Sequence, residues 1–240
     1  EACEYKDHLL KLSPNILVVT NIEWDHTDWF PSLSAMQEMF QTAVARIPED
    51  GFLVLNPGDP DVSLILKGFA GHTIDYTKER TPPLKLLGGF NQLNAKAAKA
   101  AAKAYRPQLD EGAVDASIAS FEGAWRRFEK KGTLPSGALV YDDYAHHPTA
   151  IRETLKAARE KFPGKNITVA FHPHLYSRTR DLFEGFVTEL AEANKVILAP
   201  VYAAREKPIP NVTSDFLAKH IREKGTDVVS LDTFEAIEEE

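Results

Sequence analysis

Residues 141–148 read Tyr141-Asp142-Asp143-Tyr144-Ala145-His146-His147-Pro148, and the fold turns on what bounds them. An apolar run, residues 138–141, precedes the polar cluster. Pro148 then opens a helix whose apolar positions Ile151, Leu155, Ala158 and Phe162 keep helical spacing until Pro163-Gly164 ends it. Strand, polar loop and helix make the repeating unit of an open α/β sheet, which places ligands at the carboxyl ends of its strands. The same alternation continues downstream. A strand at 166–171 runs into His172-Pro173-His174-Leu175-Tyr176-Ser177-Arg178-Thr179-Arg180, followed by a helix at 181–193. A strand at 195–200 ends in Val201-Tyr202-Ala203-Ala204-Arg205-Glu206, Ser214 caps a helix to Lys224, and 227–231 is a strand. Upstream, strands are expected at 15–20, 51–56 and 72–77. Ser34 caps a helix there, and Asn91 and Asn94 lie one turn apart at the start of an alanine- and lysine-rich helix over 95–105. The chain reads as α/β, with parallel strands covered by helices.

Composition sets the outer bounds. With 240 residues, 43% hydrophobic and 26% charged, the chain has the make-up of a globular protein with room for one large domain or two smaller ones. A formal charge of -7 argues against a general binder of nucleic acid or anionic membranes. The one cysteine, Cys3, excludes an internal disulfide framework and fits a reducing compartment. No apolar run approaches the roughly 20 residues of a membrane-spanning helix.

Several chemistries can be weighed on the residues alone. The strand before Asn21-Ile22-Glu23-Trp24-Asp25-His26 empties into oxygen and nitrogen donors; together with Glu1 they suit a hard divalent cation such as Mg²⁺, although a lone loop histidine is more often structural. Zinc lacks its usual cysteine cluster or H-x-x-x-H helix. A G-x-S-x-G elbow is absent, and so is the phosphate-cradling G-x-x-x-x-G-K-[ST] loop. Asn91 and Asn94 can read a base or phosphate at a helix start or simply cap it. Arg126-Arg127 can be surface charge or a phosphate clamp. The pair His146-His147 is compatible with a solvated loop, a metal half-site or a substrate clamp, and spacing does not choose among them.

Taken together the motifs carry a resemblance. Glu1-Ala2-Cys3-Glu4-Tyr5, Thr20 to His26, Asn91-Gln92-Leu93-Asn94-Ala95, Arg126-Arg127-Phe128, Asp142 to Pro148, His172 to Arg180 and Val201 to Glu206 occur in the order and at the spacing of the Mur ligases. These are ATP-dependent amide ligases of peptidoglycan precursor synthesis in the bacterial cytoplasm. The similarity is greatest to the members that join L-alanine to UDP-N-acetylmuramate. It implies that ATP phosphorylates the lactyl carboxylate and that the amine of L-alanine attacks the acyl phosphate. It also implies roles: Glu1 and His26 as Mg²⁺ ligands, Asn91 and Asn94 on the nucleotide, Arg127 on its phosphates and Asp143 on its ribose. Tyr144, His146 and Arg178 would meet the amino acid, with His26, His146 and Arg178 the residues closest to the chemistry. His147 is expected to support the loop.

The expected organisation is the later part of a P-loop-type central ATPase domain over 1–127, followed by a Rossmann-like amino-acid-binding domain over 128–240. The family's amino-terminal sugar-nucleotide domain and P-loop lysine would lie outside this stretch, so the stretch alone should turn over negligibly. Two departures matter. Phe90 stands where these ligases commonly have His, and Leu175 where some have Arg, which puts more of the carboxylate binding on Arg178. Two other readings fit: a recycling ligase that adds a tripeptide to the same acceptor, and a non-catalytic relative that keeps only the amino-acid domain.

Overall fold

The computed structural model describes residues 2–240. Glu1, and with it the expected metal role of that residue, lies outside the described residues. Contacts divide the chain into two compact units, one through Glu122 and the other Gly123–Glu240.

In the first unit, β1 (Ile16–Val19), β2 (Phe52–Leu55) and β3 (His72–Asp75) form a parallel sheet with β2 in the middle. Successive side chains of β2 point to opposite faces. Leu53 and Leu55 join Met36, Met39, Val44, Val62 and Ile65 on one side, while Val54 meets Tyr76, Ala97 and Ala100 on the other. The first face is covered by α1 (Leu33–Val44) and the short α2 (Pro60–Ser63) with the 3-10 turn after it. The second is covered by α3 (Gly89–Tyr105), whose alanines let it approach the sheet closely. Next comes α4 (Glu111–Ser120), capped by Asp110. Lys99 of α3 is 2% exposed and donates to Asp115 (2.6 Å) and to the Arg80 carbonyl (2.9 Å), with Glu111 at 3.0 Å. That pairing ties α4 to α3, since a covered ammonium needs partners for all its donors.

In the second unit, β4 (Glu129–Thr133) and β5 (Leu139–Asp142) form an antiparallel pair with an irregularity between Lys130 and Gly132. After α5 (Pro148–Lys161), β6 (Thr168–Phe171), β7 (Lys195–Leu198) and β8 (Asp227–Ser230) form a parallel sheet in sequence order. Between these strands run α6 (Tyr176–Asp181), α7 (Phe183–Leu190) and α8 (Ser214–Glu223), and α9 (Phe234–Glu239) follows the last. Phe171, Val196 and Leu198 pack with Leu155, Phe186, Leu190, Leu217 and Ile221, each apolar side chain removed from water stabilising by about 1.5–3 kcal/mol. Gly185 is required where α7 meets α5: a Cβ there would lie 2.8 Å from the Pro148 ring.

Several expectations need correction. Ser32 and Thr213, not Ser34 and Ser214, cap α1 and α8: both have extended backbone and accept from the N–H three residues on, while Ser214 donates to the Ala199 carbonyl. The helix expected over 95–105 begins at Gly89. The strand before the Asp142-Asp143 cluster is hydrogen-bonded to β4 rather than into the parallel sheet. Residues expected as loop before a helix at 181 are already helical from Tyr176, so Arg178 sits on a helix. By contacts Arg126 and Arg127 go with the second unit, where the Arg126 side chain and carbonyl are held by Asp142 and the Tyr144 N–H.

Candidate functional site

The second unit gathers its polar groups on the segments that follow β5, β6 and β7. After β5, Asp142 and Asp143 divide the work of holding the loop. Asp142 receives Arg126 Nε at 3.1 and 3.3 Å. Asp143 accepts the Phe128 N–H through Oδ2 (2.7 Å) and the Ala145 N–H through Oδ1 (2.8 Å). The Tyr144 N–H donates to the Arg126 carbonyl (2.8 Å), and the Tyr144 ring lies 5.0 Å from the Arg126 guanidinium and 5.8 Å from that of Arg127. The Asp143 carboxylate, expected at a ribose, thus already bridges two stretches of backbone, with lone pairs left on each oxygen.

His146 stands edge-on to Tyr144 at 5.0 Å and its Nδ1 is 2.8 Å from the Tyr144 carbonyl. A carbonyl only accepts, so Nδ1 carries the proton. His147 caps α5, its Nδ1 accepting the Thr149 N–H at 3.3 Å, a supporting role.

Beyond β6, His174 bridges in parallel to Tyr202 of the segment after β7: the Tyr202 N–H donates to the Pro173 carbonyl and the Leu175 N–H to the Tyr202 carbonyl. Leu175 has φ +72°, a left-handed conformation costly for a branched side chain, and is held there by that bond and by a side chain 1% exposed. The residue expected to weaken the site by not being arginine is therefore part of the core. One turn on, Arg178 is 2% exposed, and its Nη1 donates to the His174 carbonyl and Nδ1, each at 3.3 Å. The His174 ring lies 6.5 Å from that of His146 and 5.2 Å from that of Tyr202. Burial first, then the charge of Arg178, pushes the His174 pKa down, and burial also lowers that of His172. The charges of Arg178 and Arg205 both reach the His174 ring, while the Glu206 carboxylate lies on Ser177, the residue before Arg178.

This arrangement has a pH signature. Unfolded, both histidines take up protons near pH 6.5; folded, they do so only at lower pH, so below that value the unfolded chain binds more protons. Their contribution to stability is complete above about pH 6.5 and is lost as pH falls through the lowered folded values. Thermal melts near pH 7.5 and near pH 5.5 should show a smaller acid loss for His174→Gln than for the wild type. An equal loss in both would remove His174 from the explanation.

The remaining expected residues belong to the first unit. His26, at φ +49° in the loop after β1, has Nε2 2.9 Å from Glu4 Oε1, and that hydrogen bond is the main cause holding the Glu4 carboxyl below its ordinary value. Among the described residues no group of three or more His, Cys, Asp or Glu side chains is set to hold a metal. The His26 Nε2 is taken up by Glu4, and its partner in the expected Mg²⁺ role, Glu1, lies outside the described residues. Asn91, the third residue of α3, donates through Nδ2 to the Leu87 carbonyl at 2.6 Å and so fastens the turn before the helix. Asn94 is exposed and sixth in the helix, past the first turn whose N–H groups lack helical partners. Arg127 is exposed. Sequence reasoning misses Glu4 and His174, and for Arg126 it offers only surface charge or a phosphate clamp, because nothing in the spacing ties Glu4 to His26 or Arg126 to Asp142.

Comparison with known proteins places these motifs in context. The family model of the Mur ligase glutamate ligase domain matches residues 126–240. A UDP-N-acetylmuramate–L-alanine ligase of Clostridium novyi is 38% identical over an alignment of 264 positions, spanning 99% of this chain and 57% of the relative. The enzyme of that name from Caldicellulosiruptor saccharolyticus is 35% identical over 268, spanning 100% and 58%. The crystal structure of UDP-N-acetylmuramate-alanine ligase from Thermotoga maritima superposes with a TM-score of 0.68 at 23% identity, covering 95% of this chain and 54% of that one, a likeness of fold. The chain spans somewhat over half the length of the curated relatives it matches.

Proposed function

The chain belongs to the Mur ligase family, and from that premise we propose that it is part of an enzyme joining L-alanine to UDP-N-acetylmuramate at the expense of ATP. The observation that carries the reading is Arg178: a covered guanidinium, braced by His174 and set among the histidines of the segments after β5 and β6, in the part of the chain that matches the family's ligase domain. Under this reading the two units are the later part of a central ATP-binding domain and an amino-acid-binding domain, working in the bacterial cytoplasm. Among the described residues no helix is long and apolar enough to cross a membrane, which is compatible with that setting.

Arg178 pairs with the carboxylate of the incoming amino acid through its planar fork. His174 presents a neutral ring whose Nδ1 is engaged by Arg178, so its Nε2 carries the proton and donates. His146 has its Nδ1 proton on the Tyr144 carbonyl, so in its neutral form Nε2 would be the atom to take the proton that the ammonium must lose before the nitrogen attacks. Tyr144 would meet the amino acid beside His146, Arg127 would meet the nucleotide's phosphates, and Asp143, which holds the loop, would meet the ribose. In the first unit, His26 with Glu1 would hold Mg²⁺, which neutralises phosphate charge when bound. Asn91 and Asn94 would meet the nucleotide.

The test is L-alanine-dependent ADP release by the full-length protein containing this chain, with ATP, Mg²⁺ and UDP-N-acetylmuramate supplied. Free L-alanine should support turnover, and L-Ala-γ-D-Glu-diaminopimelate should not. No dependence on L-alanine would sink the reading; dependence on the tripeptide alone would replace it with a recycling ligase.

A further inference from the structure

The short helix α6 carries Arg178 but lacks a side-chain cap of its own: Leu175 stands at its N-cap and offers none. The missing partner comes from another strand's segment. After β7 the chain turns at Ala203–Glu206, with Ala204 at φ +48° and the Glu206 N–H donating to the Ala203 carbonyl. From that turn the Glu206 carboxylate reaches across to Ser177, accepting its N–H at Oε2 (2.9 Å) and its hydroxyl at Oε1. The backbone bridge between Tyr202 and residues 173 and 175 holds the other end of the same junction. Ser177 is buried and directly precedes Arg178 in the chain.

We infer that Glu206 is a positioning residue for the carboxylate site, locking the first turn of α6 so that Arg178 and His174 keep their mutual geometry. The inference rests on the reading of Arg178 as the amino acid's partner. A negative group at this spot suits the physics twice. It satisfies two donors at a helix start, and it favours the positive end of the helix. Glu206 touches no reacting atom, so its effect should travel only through α6.

Full-length Glu206→Ala should raise KM for L-alanine by about tenfold, the scale of a charge-assisted hydrogen bond, with KM for ATP held within about twofold. Glu206→Gln, which keeps one acceptor, should recover part of the loss. Ser177→Ala should give a smaller rise, and combining it with Glu206→Ala should add less than the sum. A separate readout is the side-chain NMR signal of the buried Arg178 Nε–H, which should be sharp and shifted in the wild type and broadened or moved in Glu206→Ala. If the alanine variant does not fold, the glutamine and Ser177 variants carry the same comparison. An L-alanine KM that stays within about twofold in the folded variants, or a rise shared equally by ATP, overturns the inference. If the wild type shows no L-alanine-dependent turnover, the functional reading fails instead, and an Arg178 signal unmoved by the substitutions overturns the positioning role on its own.

Discussion

Replacing Arg178 with alanine in the full-length protein is expected to lower kcat/KM for the amino acid by a factor on the order of 10³, with KM for ATP changed by no more than about twofold. The size follows from where the guanidinium sits. At 2% exposure it is shielded from water, so a carboxylate paired with it gains a charge-assisted, two-pronged hydrogen bond. In the alanine variant that carboxylate would enter a covered site with no counter-charge, which costs more than the pair itself contributes. Arg178→Lys separates charge from shape. It restores a cation but not the fork, and it no longer donates from Nη1 to both the carbonyl and Nδ1 of His174. A deficit on the order of 10² should remain. Steady-state kinetics with L-alanine and ATP varied separately would settle the matter; a fall shared equally between the two substrates, or none for L-alanine, would refute this placement of the carboxylate.

The case for Arg178 was open in the sequence only in part. Its motif, its charge and its place after a strand were legible, and so was the α/β class, because alternating apolar runs and helical spacing are local signals. Its placement on a helix was not. Tyr176 to Asp181 becomes helical because the Leu175 carbonyl receives the Thr179 N–H while Leu175 itself is bent to a left-handed conformation by contacts from β7's segment. No window along the chain encodes that. For the same reason Leu175 read as a gap in the binding site when it is a core residue. The hairpin of β4 and β5 was hidden too: β5 has the apolar look of a parallel strand, and only pairing shows which neighbour it takes.

Long-range polar pairing was the least legible layer. Glu4 and His26, Arg126 and Asp142, and Lys99 and Asp115 are separated by 22, 16 and 16 residues, and each pair joins side chains whose types alone would suggest solvent. Asn91 shows the opposite error. A type suited to reading a nucleotide spends one amide N–H on the Leu87 carbonyl, which fixes the orientation in which its remaining N–H and Oδ1 can meet a nucleotide. Family resemblance names the positions that matter but is silent on which atoms are already engaged.

Asp143 is where that distinction has the largest consequence. If it did no more than meet a ribose, Asp143→Ala would raise KM for ATP alone. Its two oxygens instead bind the N–H groups of Phe128 and Ala145, the first in a segment where Arg126 and Phe128 both take left-handed conformations, at φ +55° and +51°. Such conformations cost about 1–3 kcal/mol apiece and persist only when surrounding bonds hold them. Remove the carboxylate and the segment relaxes. With it goes the Arg126 carbonyl that receives the Tyr144 N–H, and so the placement of Tyr144 and His146. We therefore expect Asp143→Ala to raise both KM values, each by on the order of tenfold, and to lower kcat/KM for each substrate by on the order of 10² as kcat falls with them. Asp143→Asn should not rescue, because its NH₂ must face one of two N–H donors. Thermal melts run alongside would show that the second unit stays folded. A rise confined to ATP in a folded variant would return Asp143 to the ribose and leave the loop to be held by Asp142 and Arg126.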